Sequence, residues 1–164
     1  MHSLRFLFTL LTLCFFLGCS IPHINVYKDP LTAEEHYQLA MTYEQEGEYE
    51  AAVREYKAAS KSIAEAYYYL GNIYFTLGEY EKAEKNYKIA IRKLPENPRS
   101  YNNLAWLYFI QKKNLKEAES LASQAVELVA EEESAPYRDT LDKIRQALDK
   151  ERSGPVSPPS ETSP

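Results

Sequence analysis

Two stretches of this chain are near-copies of each other. Tyr67-x2-Leu70-Gly71-x2-Tyr74 recurs as Tyr101-x2-Leu104-Ala105-x2-Tyr108, with Leu70 and Leu104 34 residues apart. His36-x2-Leu39-Ala40-x2-Tyr43 is an earlier variant, 31 residues before the middle copy. In each copy the named residues fall at i, i+3, i+4 and i+7, one face of an α-helix. A period of this length holds two helices and their turns, and one such unit cannot bury its apolar face alone. The chain is therefore constrained to an all-α stack of units. Stacks of this kind form extended concave surfaces, so binding is the first functional expectation.

The middle unit is the most complete. Gly78 ends its first helix where positive φ is needed. Ala83, Tyr87 and Ala90 then give a second helix a small-residue face, and Pro95 and Pro98 turn the chain onward. The first unit carries Gly47, Ala52, Tyr56 and Ala59 in the matching places, lacks the closing Pro, and has a trimmed loop between Ser60 and Ala64. In the third, Gln111-Lys-Lys-Asn-Leu115 replaces the Gly turn with one extra residue, while Ala118, Ala122 and Ala125 keep the second helix. A final stretch from Asp139 to Leu148 reads as a lone first helix with a polar outer face. Thr32-x-x-Glu35 forms a capping box ahead of the first helix.

These residues resemble the tetratricopeptide repeat, Trp-x2-Leu-Gly-x2-Tyr, then Ala-x3-Phe, then Pro. Tyr67 stands in the Trp slot, Tyr87 in the Phe slot, and Pro95 closes the unit. The resemblance implies a right-handed superhelix of three helix-turn-helix repeats at about 33–63, 64–97 and 98–133. A cap helix over 134–150 would complete a domain of residues 32–150, and residues 151–164, rich in Pro and Ser, would form a disordered tail.

The amino-terminal segment has a different character. Arg5 precedes an uncharged run from Phe6 to Leu17, a length suited to a signal-peptide core and short for a membrane span. It ends in Leu17-Gly18-Cys19-Ser20, which resembles the bacterial lipobox, with Phe16 where an aliphatic residue is usual. The resemblance implies a signal peptide over residues 1–18, lipidation of Cys19, and a tether over 19–31. Both cysteines lie within the first nineteen residues, so the mature chain would carry no disulfide. Ser20 after the Cys implies the outer membrane facing the periplasm. An ordinary cleaved signal or a single membrane anchor is the alternative.

On each first helix a second row of side chains lies one step from the packing set, about 100° around the helix. These rows are Tyr37, Met41 and Glu44 in the first unit, Tyr68, Asn72 and Phe75 in the second, and Asn102, Trp106 and Phe109 in the third. Stacked first helices line the concave face in the family resembled, so the rows become ridges of one groove. Trp106, the single Trp, is the expected anchor, since aromatic residues dominate interface hot spots. Packing between neighbouring first helices is the competing role for these aromatics. Asn72 and Asn103 match positions where family amides bond a peptide main chain. With Arg99 they resemble part of a carboxylate clamp, but Tyr37 and Met41 occupy the places where its Lys would stand.

The 24 acidic residues exceed the 19 basic ones, for a net charge of −5. That argues against a nucleic-acid partner, which requires concentrated Lys and Arg. His2, His23 and His36 have no metal-ligand spacing, and no glycine-rich phosphate loop occurs. No enzymatic activity, cofactor, metal or small-molecule substrate is expected. Glu81/Lys85 and Glu84/Lys88 read as exposed i, i+4 pairs. The chain is expected to be a lipid-anchored adaptor of the bacterial envelope that binds another envelope protein or peptide. It resembles small tetratricopeptide lipoproteins of secretin, pilus and cell-wall assembly. A structural or self-associating subunit is the second expectation.

Overall fold

The computed structural model describes residues 29–153. The signal segment, Cys19, most of the tether and the tail beyond Ser153 lie outside the described residues. From Leu31 the chain forms one compact unit. Its helices are α1 (Ala33–Gln45), α2 (Tyr49–Ala59), α3 (Ala66–Thr76), α4 (Tyr80–Lys93), α5 (Pro98–Ile110), α6 (Leu115–Glu127) and α7 (Ala135–Arg152). The acidic run Glu131–Glu133 is an exposed 3-10 turn before α7.

Local chemistry explains where these helices begin and end. Thr32 caps α1 reciprocally with Glu35, whose carboxylate accepts from the Thr32 backbone N–H at 2.7 Å. Asn97 caps α5 through the Arg99 N–H, with Pro98 in the first turn where no hydrogen bond is lost. The three first helices close alike, with the signature tyrosines Tyr43, Tyr74 and Tyr108 accepting from the N–H of Glu48, Glu79 and Lys113 at 2.8–2.9 Å. The residue before each donor lies in the left-handed region: Gly47 (φ 77°), Gly78 (φ 73°) and Lys112 (φ 49°). Lys112 thus performs the glycine's task at a steric cost, and Asn114 (φ 50°) absorbs the added residue in the same region.

Helices α1/α2, α3/α4 and α5/α6 form three hairpins, and each second helix packs on the first helix of the next unit. Helix α7 packs on α6 and touches α5, and α5 touches α3, so first helices neighbour one another along the stack. Leu70, Ile73, Leu104, Leu107, Tyr108 and Ile144 are buried in the shared core. Gly71 is required by packing: a Cβ there would lie 2.4 Å from Cε1 of buried Tyr87. His36 fills an aromatic slot while buried, and its Nδ1 lies 2.6 Å from Glu55 Oε2 across the hairpin. Among the described residues no helix is long and apolar enough to cross a membrane.

Three readings require correction. The pair Glu81/Lys85 does not form; Lys82 instead pairs with Glu79 in the first turn of α4. Glu84 is not a surface partner of Lys88 alone. Its carboxylate accepts from Lys88 at 2.8 Å, Tyr108 at 2.9 Å and Lys113 at 3.0 Å, tying the second unit to the third unit's altered turn. Desolvation acts to raise its pKa, but those three hydrogen bonds prevail and hold it at about 2. Finally, α7 continues through Arg152, two residues into the segment expected to be disordered. Arg152 extends toward Asp149 and Ser153 bonds the Asp149 carbonyl, so polar contacts alone prolong the last turn.

Candidate functional site

The expected groove residues lie on adjacent first helices, but their surroundings differ along the stack. Tyr37 on α1 meets Tyr56 and Tyr69 edge-on at 5.7 and 5.8 Å, and Tyr56 stacks on Tyr69 at 5.3 Å. Tyr56 Oη donates to Glu44 Oε2 at 2.7 Å. Burial raises the pKa of Tyr56, and the bond to Glu44 raises it further. Met41 is half-buried against the core. The amino-terminal part of the inner wall is therefore committed largely to its own aromatic cluster, the competing role weighed for these residues. Tyr68 continues that cluster, edge-on to Tyr69 at 5.1 Å, and the Arg99 guanidinium lies over its ring at 4.7 Å.

Beyond Tyr68 the wall opens. Asn72, Phe75 and Thr76 of α3, Tyr87 of α4, and Asn103 and Trp106 of α5 line a cavity of about 270 Å³. Its polar side is an ordered network. Asn72 Oδ1 accepts from Tyr87 Oη and Asn103 Nδ2, both at 2.9 Å. Burial raises the pKa of Tyr87, opposed by a hydrogen bond from Asn103. The network orients Asn72 so that its Nδ2 has no acceptor among the described residues, leaving a fixed donor at the cavity. Asn102 is turned inward instead: its Nδ2 reaches Asn103 Oδ1 at 3.4 Å, and its own Oδ1 is covered without a partner.

Trp106 is half-buried and leans on Phe109, with ring centroids 5.1 Å apart. Lys143 of α7 lies over the Trp106 ring at 5.6 Å. The cap helix thus helps to build the wall, a role not assigned to it from the sequence, where it reads only as a lone first helix with a polar outer face. Thr76, Tyr87 and Lys143 are the site residues missed. Tyr87 had been read only as packing, and its hydroxyl reaches the groove because Gly71 lets the ring pass beneath α3. Arg99 is exposed over Tyr68, and among the described residues no hydrogen bond joins it to Asn72 or Asn103.

A curved stack of hairpins with an amide donor fixed above an aromatic cleft defines a class: a helical-repeat scaffold for binding polypeptide. The chain belongs to the tetratricopeptide repeat family, whose models match residues 34–62, 64–97 and 98–129, together more than half of its length. No curated protein sequence matches it. Among solved structures, it is similar to the Yersinia enterocolitica type III secretion translocator chaperone SycD. The identity is 28%, over 72% of this chain and 86% of that one, with a TM-score of 0.65. SycD in complex with a peptide of the translocator YopD is 28% identical over 70% of this chain and 93% of that one, with a TM-score of 0.63. The Sgt2 repeat domain from Aspergillus fumigatus, 15% identical over 80% and 90%, shares the fold alone, with a TM-score of 0.68.

Proposed function

We propose that this chain is an adaptor, held at a bacterial envelope membrane by a lipid on Cys19, that grips an extended segment of another envelope protein in its concave groove. The observation carrying the reading is the cavity between α3 and α5. It joins an apolar floor of Phe75 and Trp106 to the donor Asn72 Nδ2, the combination that captures a side chain and its main-chain carbonyl together. Its likeness to a secretion chaperone that holds a translocator peptide supports the same assignment. The client would be a subunit of a secretin, pilus or cell-wall assembly. Anchoring rests on the lipobox-like Leu17-Gly18-Cys19-Ser20, which also favours the outer membrane.

Crosslinking in intact cells, followed by mass spectrometry, tests the groove. Wild type should capture an envelope protein that Trp106→Ala loses, and equal capture by both would remove the proposal. Incorporation of radiolabelled lipid, lost in Cys19→Ala, tests the anchor separately.

A further inference from the structure

The inner wall does not end at α5. The carboxy-terminal ends of α5 and α7, with the start of α6, enclose a second cleft of about 570 Å³. Phe109, Ile110, Leu115 and Ala147 make it apolar, and Ile110 is 38% exposed there. Lys112 and Lys150 stand at its rim beside Glu151, and neither lysine has an acidic side chain within ion-pair distance among the described residues. Trp106 lines the first cavity and Phe109 the second, so their tilted ring pair is the ridge between the two.

We infer that this second cleft is a subsite of the same groove, receiving the next anchor of one extended peptide: a large apolar side chain flanked by acidic residues. The inference rests on the groove reading above. Neighbouring packed helices stand about 8–10 Å apart, which sets the distance between successive clefts. A polyproline II segment advances about 3.1 Å per residue with three residues per turn, so anchors three positions apart share a face at about 9 Å. A helical ligand would satisfy its own carbonyls and leave Asn72 Nδ2 without an acceptor, whereas an extended one offers free carbonyls. Charge selects the flanks. In a chain of net charge −5, this end of the groove carries Lys112 and Lys150, while Lys143 is paired with Asp139.

Trp106 is the sole tryptophan; it lines the first cavity and its ring lies against Phe109 of the second, so its fluorescence reports occupancy. The full chain would be titrated with three capped proline-rich peptides. One carries two leucines three residues apart flanked by aspartates, one has only the first leucine, and one has lysines for the aspartates. The two-leucine acidic peptide should bind about tenfold more tightly than the single-leucine one, the difference a buried Leu supplies. The lysine version should bind more weakly. Ile110→Asp, and independently Ala147→Trp, should erase the two-leucine advantage while leaving single-leucine affinity unchanged. Equal affinity for the one- and two-leucine peptides would overturn the subsite and leave the groove reading standing. No fluorescence response to any of the three would overturn both.

Discussion

At the amino-terminal end of the inner wall, Tyr37, Tyr56, Tyr68 and Tyr69 face one another, and Glu44 holds the one hydroxyl at the centre of the cluster. At the carboxy-terminal end, Phe75, Trp106 and Phe109 border open clefts, and the polar groups between them leave a donor unspent. Both regions lie along the wall of successive first helices, yet one is filled by its own side chains and the other stays open. The difference lies in the neighbouring side chain. Where Tyr69 stands one residue before Leu70, it fills the space between units; Asn103, in the equivalent place before Leu104, is small and leaves that space empty.

Substitutions should separate the two ends. The largest effect is expected from Tyr56→Ala, which removes a fully buried ring touching two others and leaves Glu44 without its donor. Urea denaturation should show a loss of about 3–5 kcal/mol; a loss below about 1 kcal/mol would mean that the aromatic cluster is not structural. Trp106→Ala should do the converse, weakening partner binding by at least about 2 kcal/mol with stability nearly unchanged. Tyr37→Ala, by contrast, should lower stability more than it lowers binding. If these two variants behave alike in calorimetry and unfolding, the division of the wall is wrong.

Gly71→Ala should act on both properties, because the new methyl meets the Tyr87 ring and displaces the hydroxyl that orients Asn72. Overpacking of this kind costs about 1–3 kcal/mol, and binding should fall with it. Unchanged binding in a destabilised Gly71→Ala protein would show that the Asn72 donor is dispensable. The smallest effect concerns the junction behind the open end. The folded pKa of Glu84 lies near 2, below the ordinary 4.5, so its contribution is fully present above pH 4.5 and is lost as pH falls toward 2. For this partly exposed carboxylate that contribution is about 1 kcal/mol. Glu84→Gln should flatten that part of the stability–pH curve, and an identical acid profile in wild type and variant would count against the network.

The helical hairpins were legible because their causes are local. An i, i+3, i+4, i+7 face, a Thr–Glu box and a Gly at the closing turn each act within a few residues of chain. Lys112 in the left-handed region was not legible, since nothing in Gln111-Lys-Lys-Asn114 marks which residue takes positive φ. Glu84 was misread for a related reason: its partners Tyr108 and Lys113 are far along the chain and meet it only once the third unit has docked. The candidate groove was half legible. Spacing placed Tyr37 and Trp106 on equivalent rows, but not the difference in their surroundings.

Periodicity alone settled that this chain folds as stacked helical pairs, because helix faces and turn chemistry are written in short-range residue order and a lone pair cannot hide its apolar side. Which part of the shared surface remained open was decided only when the units met. That outcome depends on the volumes that distant side chains bring together: tyrosines close one end, while asparagines, a single tryptophan and the last helix leave the other unfilled.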